Sequence, residues 1–206
     1  MKPDKDITNE QRILDTAEKL FLDRGFALTS TTEIARIVGC NQALVHYYFR
    51  TKERLFDAVF EKNASQLVSA FIQGLEENIS FEEKIRRKTE TIYETLKANP
   101  KMPFLFFNEL NTNSNRLHLL KEKIGDLPGV LILQMESELK AEIEKGTIRP
   151  ITALDLMLTI LSLNLVLFMA SPVLKVITGM SEADFQVLLE NRKRENVTVI
   201  LKSLRP

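Results

Sequence analysis

The side chains with the most evident chemistry lie between Thr31 and Lys52, in the stretch TTEIARIVGCNQALVHYYFRTK. They include hydroxyls, an imidazole, phenols and cations, which form hydrogen bonds or attract anions. The apolar spacing and the single glycine predict two short helices joined by a tight turn. Two helices arranged in this way can place the second in a DNA major groove while flanking groups hold phosphates.

The charge of the whole chain is balanced, with 28 basic and 28 acidic side chains. This balance argues against a general coating of positive charge. Between Arg24 and Arg54, however, five basic residues face two acidic ones, a local surplus of three. Because backbone affinity depends on how many phosphates are met, such a surplus repeated in a dimer is compatible with DNA binding.

The composition predicts an all-α globular protein. Hydrophobic residues make up 44% and charged residues 27%, with seven glycines, seven prolines and little strand-like alternation. The single cysteine excludes an intramolecular disulfide and is typical of a reducing compartment. The N-terminal MKPDKDITNEQR lacks the apolar core of a signal peptide, so we expect a cytoplasmic protein.

Periodicity predicts three short helices at the N-terminal end, at about residues 9–24, 33–38 and 41–49. Gly25 ends the first helix, and Thr31 or Thr32 caps the second. Gly39, which has no Cβ, provides a left-handed turn before the third. Six further helices follow, at about residues 52–74, 81–99, 103–110, 128–146, 152–170 and 182–204. Ser80 caps the helix at 81–99, and Ser171-Pro172 stops the apolar helix at 152–170.

The third helix has an unusual outward face. With Val45 as the buried reference and about 100° per residue, Phe49 and Tyr48 turn inward, and the outward face comprises Ala43, Leu44, His46 and Tyr47. Such a face suits thymine methyls, base edges and phosphate oxygens, and a small alanine permits close approach. The alternative is an ordinary helical hairpin whose threonines are caps and whose aromatics are core.

The stretch ILDTAEKLFLDRGFALTSTTEIARIVGCNQALVHYYFRTKERLF resembles the DNA-binding domain of tetracycline-repressor-type (TetR) regulators. The AxxLFxxxGF of helix one, the IAxxxG of helix two and the YYFxxKxxLF after it occur in the family order. The resemblance implies a three-helix DNA-binding domain with a helix-turn-helix at residues 1–52 and a helical effector-binding and dimerisation domain at 53–206. It implies a transcriptional repressor that binds a palindromic operator as a homodimer and is released by a small-molecule effector.

The resemblance also implies roles for single residues. Thr31, Tyr47, Tyr48 and Lys52 would contact phosphates, and Gln42, Ala43, Leu44 and His46 would lie near bases. Asn41-Gln42-Ala43-Leu44 stands where the family usually has Ser-Lys-Gly-Thr, which affects the operator sequence rather than the mode of binding. With the hydroxyl of Thr32 at a helix N-terminus, the expected DNA-binding set is Thr31, Thr32, Asn41, Gln42, Ala43, Leu44, His46, Tyr47, Tyr48 and Lys52.

The last two long helices predict a homodimer. Residues 152–170 are apolar nearly all round and need burial on every side. The final helix has an apolar stripe, Val197, Ile200, Leu201 and Leu204. A membrane span is the rival interpretation of residues 153–170, but Asp155 and Asn164 would lie inside it. We therefore expect a buried interface helix and no membrane.

Aromatic, methionine and polar side chains of the C-terminal part are candidates for an effector cavity. Simple core packing is the alternative for the apolar ones, and Glu109 would favour a cationic ligand. The candidate set is Met102, Phe104, Phe107, Asn108, Glu109, Met135, Met157 and Phe168.

Enzymatic function finds little support in the sequence. The two histidines and Cys40 have no metal-ligand spacing, and no phosphate-binding loop or nucleophile elbow is present. We expect no metal and no cofactor, and we interpret the charged run FEEKIRRKTE as the solvated side of a helix. A helical scaffold protein or a small-molecule enzyme remains the alternative class, which duplex binding at moderate salt would separate from a regulator.

Overall fold

The computed structural model describes residues 8–72 and 79–206, which form ten α-helices and, within those ranges, no β-strand. This confirms the all-α class. The helices are α1 (Asn9–Leu28), α2 (Thr31–Val38), α3 (Gln42–Phe49), α4 (Lys52–Ile72), α5 (Phe81–Ala98), α6 (Met102–Thr112), α7 (Ser114–Ile124), α8 (Leu127–Glu144), α9 (Ala153–Thr178) and α10 (Glu182–Ser203).

The chain divides into two compact units, an N-terminal unit of residues 1–65 and a C-terminal unit of residues 66–206. Helix α4 continues from the first unit into the second, and its predicted end at Gly74 lies outside the described residues. The domain boundary after residue 52 stays a prediction.

The N-terminal unit is built around an aromatic cluster. The Phe56 ring packs edge-on against the rings of Phe21 and Phe26, with centroid distances of 4.9 and 5.2 Å. Phe21 and Phe56 are fully buried. The predicted stop at Gly25 corresponds to a kink, because φ of 76° interrupts the helical conformation there and the chain then continues for one short turn to Leu28.

In the C-terminal unit, α5 packs against α9 and α10, and a buried polar network ties the three helices together. The Asn164 side-chain amide donates to the Thr89 carbonyl at 3.0 Å. The Asn196 amide donates to the Asn164 side-chain oxygen at 2.9 Å. Because both asparagines are fully buried, these hydrogen bonds hold one register among the three helices.

The helices of this unit differ from the predictions in two main respects. Helix α7 was not predicted at all. The predicted stop at Ser171-Pro172 is wrong, because α9 runs on to Thr178. Proline lacks the N–H that would bond the Phe168 carbonyl, but the Ser171 hydroxyl donates to that same carbonyl at 3.1 Å. The side chain thus supplies the missing donor, and the helix continues.

The apolar stripe of the final helix does not face outward. Val197, Ile200 and Leu204 are buried within the chain, and Leu201 is half-buried. They pack in the interior of the unit, where α10 lies against α5 and α9. The prediction that this stripe faces a second protomer is therefore wrong.

Helix α9 instead carries an exposed apolar face. We call it the α9 face; it comprises Leu154, Leu158, Val166, Met169, Val173, Val176 and Ile177. At about 100° per residue these side chains span an arc of roughly 140° opposite the buried face of the helix. By length and composition α9 is apolar enough to cross a membrane, with mean hydropathy 2.1, and only 33% of its most apolar window is buried within the chain.

Candidate nucleic-acid interface

Helices α2 and α3 are joined by a tight turn that sequence chemistry explains. Gly39 has φ 78° and ψ 31°, the left-handed conformation that glycine adopts without strain. The Cys40 amide returns to the Ala35 carbonyl at 2.9 Å. The Asn41 side chain then caps α3 by accepting a hydrogen bond from the Leu44 amide at 2.8 Å. The turn therefore holds α3 in one position beside α2.

Helix α3 presents the face that its periodicity predicts. Val45 and Phe49 are buried, whereas Ala43 is exposed and Tyr47 is 68% exposed. Leu44 and Tyr48 are half-buried on either side of this face. The Tyr47 ring stands nearly perpendicular to the Tyr48 ring, 5.2 Å away. This contact orients the exposed Tyr47 phenol at the surface.

A chain of hydrogen bonds connects the start of α2 with the whole length of α3. The Gln42 amide nitrogen lies 3.1 Å from the Thr31 hydroxyl and 3.2 Å from His46 Nε2. His46 Nδ1 lies 2.9 Å from the Arg50 carbonyl oxygen. If the Gln42 amide donates, His46 Nε2 accepts, and the neutral imidazole donates from Nδ1 to that carbonyl. Three candidate contact residues are thus oriented together.

The last link of this chain reaches a strained position. Arg50 has φ 64°, in the region that side chains other than glycine rarely adopt. Its amide donates to the His46 carbonyl at 2.9 Å, and its own carbonyl meets the His46 ring. His46 therefore bonds both sides of the Arg50 peptide backbone and holds the sharp end of α3.

The cap of α2 differs from the prediction. Ser30, not Thr31 or Thr32, is the N-cap, because its hydroxyl accepts a hydrogen bond from the Glu33 amide at 3.1 Å. Thr31 is half-buried and bonded to Gln42, whereas Thr32 is exposed in the first turn. Since Ser30 performs the capping, the Thr32 side chain is available for other contacts, and the Thr31 hydroxyl accepts from Gln42 and keeps its own proton to donate.

Lys52 begins α4 at the edge of the same surface. Its ammonium lies 3.4 Å from the Ala27 carbonyl oxygen and 4.3 Å above the Phe26 ring. This cation–π contact orients a half-buried side chain. The ten predicted DNA-binding residues are thus gathered on α2, α3 and the start of α4 of one compact unit.

Residues 13–59 match the family model described as "Bacterial regulatory proteins, tetR family". The match covers α2, α3, most of α1 and the first residues of α4. Residues 13–59 therefore form a DNA-binding domain of the TetR type. The family model and the relatives found describe transcriptional regulators, and the matched residues include the helix-turn-helix of α2 and α3.

Relatives extend the likeness beyond the N-terminal unit. A transcriptional regulator of Bacillus subtilis, YhgD, is 23% identical over 144 residues, which cover 70% of this chain and 74% of YhgD. A tetR-family protein from Rhodococcus RHA1 superimposes with a TM-score of 0.71 at 17% identity over 96% of this chain and 97% of that one. The ketosteroid regulator KstR2 of Mycobacterium tuberculosis gives 0.71 at 15% identity, covering 98% and 97%. These structures share the fold.

The C-terminal unit contains a cavity of about 260 Å³. Among the eight predicted ligand-lining residues, the cavity lining includes Met135 and Met157. Its other main contributors are Lys88 and Ile92 of α5, Leu131 and Ile132 of α8, and Ile160 and Leu161 of α9. Val68 of α4 and Ile124 of α7 also line the cavity.

The other six predicted residues lie elsewhere. Phe104, Phe107 and Asn108 are exposed on α6. Met102 is buried in the core, and Phe168 packs against the Tyr93 ring at 5.2 Å. The carboxylate of Glu109 forms a buried ion pair with Arg116, so it is not free to bind a cation. Their types suited a ligand site, but helix packing directed them away from this cavity.

Sequence reasoning missed Lys88, because it lies in the charged run interpreted as a solvated helix side. Much of that run is solvated: Arg86 and Arg87 pair with Glu83 of the same helix. Lys88 precedes the buried Ile92 by four residues, and residues at that spacing share a helix face. This spacing in the sequence indicates that Lys88 lies on the buried side of α5.

Proposed function

We propose that this chain is a ligand-responsive transcriptional repressor that binds a palindromic operator as a homodimer and is released by a small-molecule effector. The observation that carries the DNA-binding part is the outward face of α3, where Ala43 and Tyr47 are exposed while Val45 and Phe49 anchor the helix. In a helix-turn-helix this face is the one that enters the major groove.

In this proposal the contacts divide into two kinds. The base-reading group lies along α3, where the alanine permits close approach: Asn41, Gln42, Ala43, Leu44 and His46. The phosphate-binding group flanks it: Thr31, Thr32, Tyr47, Tyr48 and Lys52. The hydrogen bonds from Gln42 to Thr31 and His46 support this division, because they orient the reading groups before DNA arrives and so lower the entropy lost on binding.

We propose that two protomers associate through the α9 face, with α10 beside it. Seven apolar side chains exposed on one helix face are unfavourable in water, and a two-fold interface would bury them against their own copies. The buried Asn164 supports protein packing over a lipid environment, because α9 hydrogen-bonds through it to neighbouring helices. A dimeric regulator of this kind acts on DNA in the cytoplasm.

The proposed effector site is the cavity of the C-terminal unit. Helix α4 offers a physical link to the DNA-binding unit: its early residues Leu55 and Phe56 belong to the N-terminal core, and Val68 lines the cavity. An effector that binds better in one position of α4 shifts the population toward that position. Release follows when the two reading helices no longer match successive major grooves.

Selection from a random duplex library at moderate salt, read by sequencing, tests the DNA-binding proposal. We expect the full chain to enrich a motif of two inverted half-sites about one helical turn apart. Adding candidate effectors should reduce recovery of that motif. Enrichment of no motif, with the protein folded, would leave the helical-scaffold alternative as the better account.

Lys52→Met tests the phosphate contact at the edge of the interface. The change removes a point charge and keeps the side-chain length, so binding should weaken about equally for operator and unrelated duplexes. The slope of log affinity against log salt should fall by about one for each protomer. Fluorescence anisotropy between low and moderate salt measures both. An unchanged slope would show that Lys52 meets no phosphate.

A further inference from the structure

The effector cavity is almost entirely apolar. Leucine, isoleucine, valine, methionine and proline side chains from five helices form its walls. Among the described residues that line it, Lys88 is the only charged one. At about 260 Å³ the cavity is small for a ligand site. Since a methylene occupies nearly the volume of a water molecule, roughly 30 Å³, it accommodates roughly eight or nine carbon-sized groups.

Lys88 is half-buried at the wall of this apolar cavity. Burial lowers its pKa below the usual value, and the charge of Lys84 lowers it further, against the opposing charge of Glu138. The Glu138 carboxylate already accepts a hydrogen bond from Lys84 at 3.1 Å. Within residues 8–72 and 79–206, no hydrogen bond or ion pair to Lys88 is formed. A partly buried ammonium without a hydrogen-bonded counter-charge is costly, and a directly paired anion lowers that cost.

We propose that the cavity binds a small apolar carboxylic acid, with its chain among the α8 and α9 side chains and its carboxylate paired with Lys88. This rests on the proposed function, in which the same cavity is the effector site. A cationic ligand would meet a like charge, and Glu109 offers no counter-charge because it is paired with Arg116. A neutral ligand would leave the ammonium without a partner. An anionic head group provides one, as charge-assisted hydrogen bonds do.

Isothermal titration of the full chain with three ligands of equal length tests the proposal: octanoate, octan-1-ol and octylammonium. We expect octanoate to bind once per chain and about tenfold or more tightly than the other two, as for a hydrogen bond between charged groups. Lys88→Met keeps the length and removes the charge. It should abolish the preference for octanoate while octan-1-ol binds as well as before or better.

Lys140→Met is the matched control, because Lys140 is exposed on α8 and does not line the cavity. It should leave all three affinities unchanged. Thermal unfolding of both variants checks that each folds. The proposal is overturned if octan-1-ol binds the wild type as tightly as octanoate, if Lys88→Met retains the preference, or if none of the three ligands binds.

Operator release is scored separately, so that the two proposals fail differently. If octanoate binds in a Lys88-dependent manner but does not release operator DNA, the ligand class stands and the effector role of the cavity is wrong. If octan-1-ol releases the operator as well as octanoate does, the effector role stands and the requirement for an acid is wrong.

Discussion

We expect Tyr47→Ala to weaken specific operator binding strongly while leaving the fold and the proposed dimer intact. Tyr47 is 68% exposed on α3 and contributes little to the core, so its removal creates no cavity. Each protomer would lose one phosphate contact and the ring contact between Tyr47 and Tyr48. With roughly 1.5 kcal/mol or more lost at each half-site, operator affinity should fall by at least about a hundredfold. Gel shifts with the selected operator measure the loss.

Two further variants serve as comparisons for this result. Tyr47→Phe keeps the ring and separates the contribution of the hydroxyl from that of the aromatic surface. Phe104→Ala removes an aromatic side chain of similar exposure, 64%, from the C-terminal unit, and should leave operator affinity unchanged. Unaltered affinity of Tyr47→Ala would show that the outward face of α3 is not the DNA-binding face.

We expect the double variant Leu158→Asp with Val166→Asp to convert the proposed dimer into monomers. Both residues are more than half exposed on the α9 face, and a carboxylate buried there without a partner costs several kcal/mol at each site. Two-fold symmetry doubles the effect. Because a monomer holds only one half-site, apparent operator affinity should fall by about 10²- to 10⁴-fold. Analytical ultracentrifugation and gel shifts measure the two effects.

Leu133→Asp is the control for this variant. Leu133 is 71% exposed on α8, outside the α9 face, so the same change of chemistry should leave the dimer and operator binding intact. A dimer that survives the double substitution would mean that the protomers meet through another surface. The rest of the DNA-binding proposal would then still stand on α3.

The helix-turn-helix was predictable because its determinants are local. Gly39 and Asn41 act within a few residues of their own positions, and the spacing of Val45 and Phe49 alone orients α3. The aromatic cluster of Phe21 and Phe56 follows from the same periodicity in α1 and α4. The N-cap of α2 was an exception. Whether Ser30 or Thr31 caps the helix depends on the backbone direction before α2, which residue types alone do not specify.

The lining of the cavity in the C-terminal unit was not predictable in the same way. Met135 and Met157 line it, but similar side chains such as Met102 and Phe168 are packed into the core instead. Which of several apolar residues faces a void depends on how α5, α8 and α9 pack together. That packing joins residues distant in sequence, and no short-range pattern encodes it.

The N-terminal helix-turn-helix was thus set by local sequence, whereas the C-terminal unit was set by long-range packing. Short-range periodicity, caps and one glycine determined that this protein has a helix-turn-helix and which side of α3 faces outward, because those choices are made within single helical turns. Only the tertiary structure decided that the stripe of α10 turns inward, that α9 passes through Pro172 with an exposed apolar face, and that Lys88 lies in an apolar cavity. Each of these depends on which neighbouring helix covers a face, and that is settled by long-range burial.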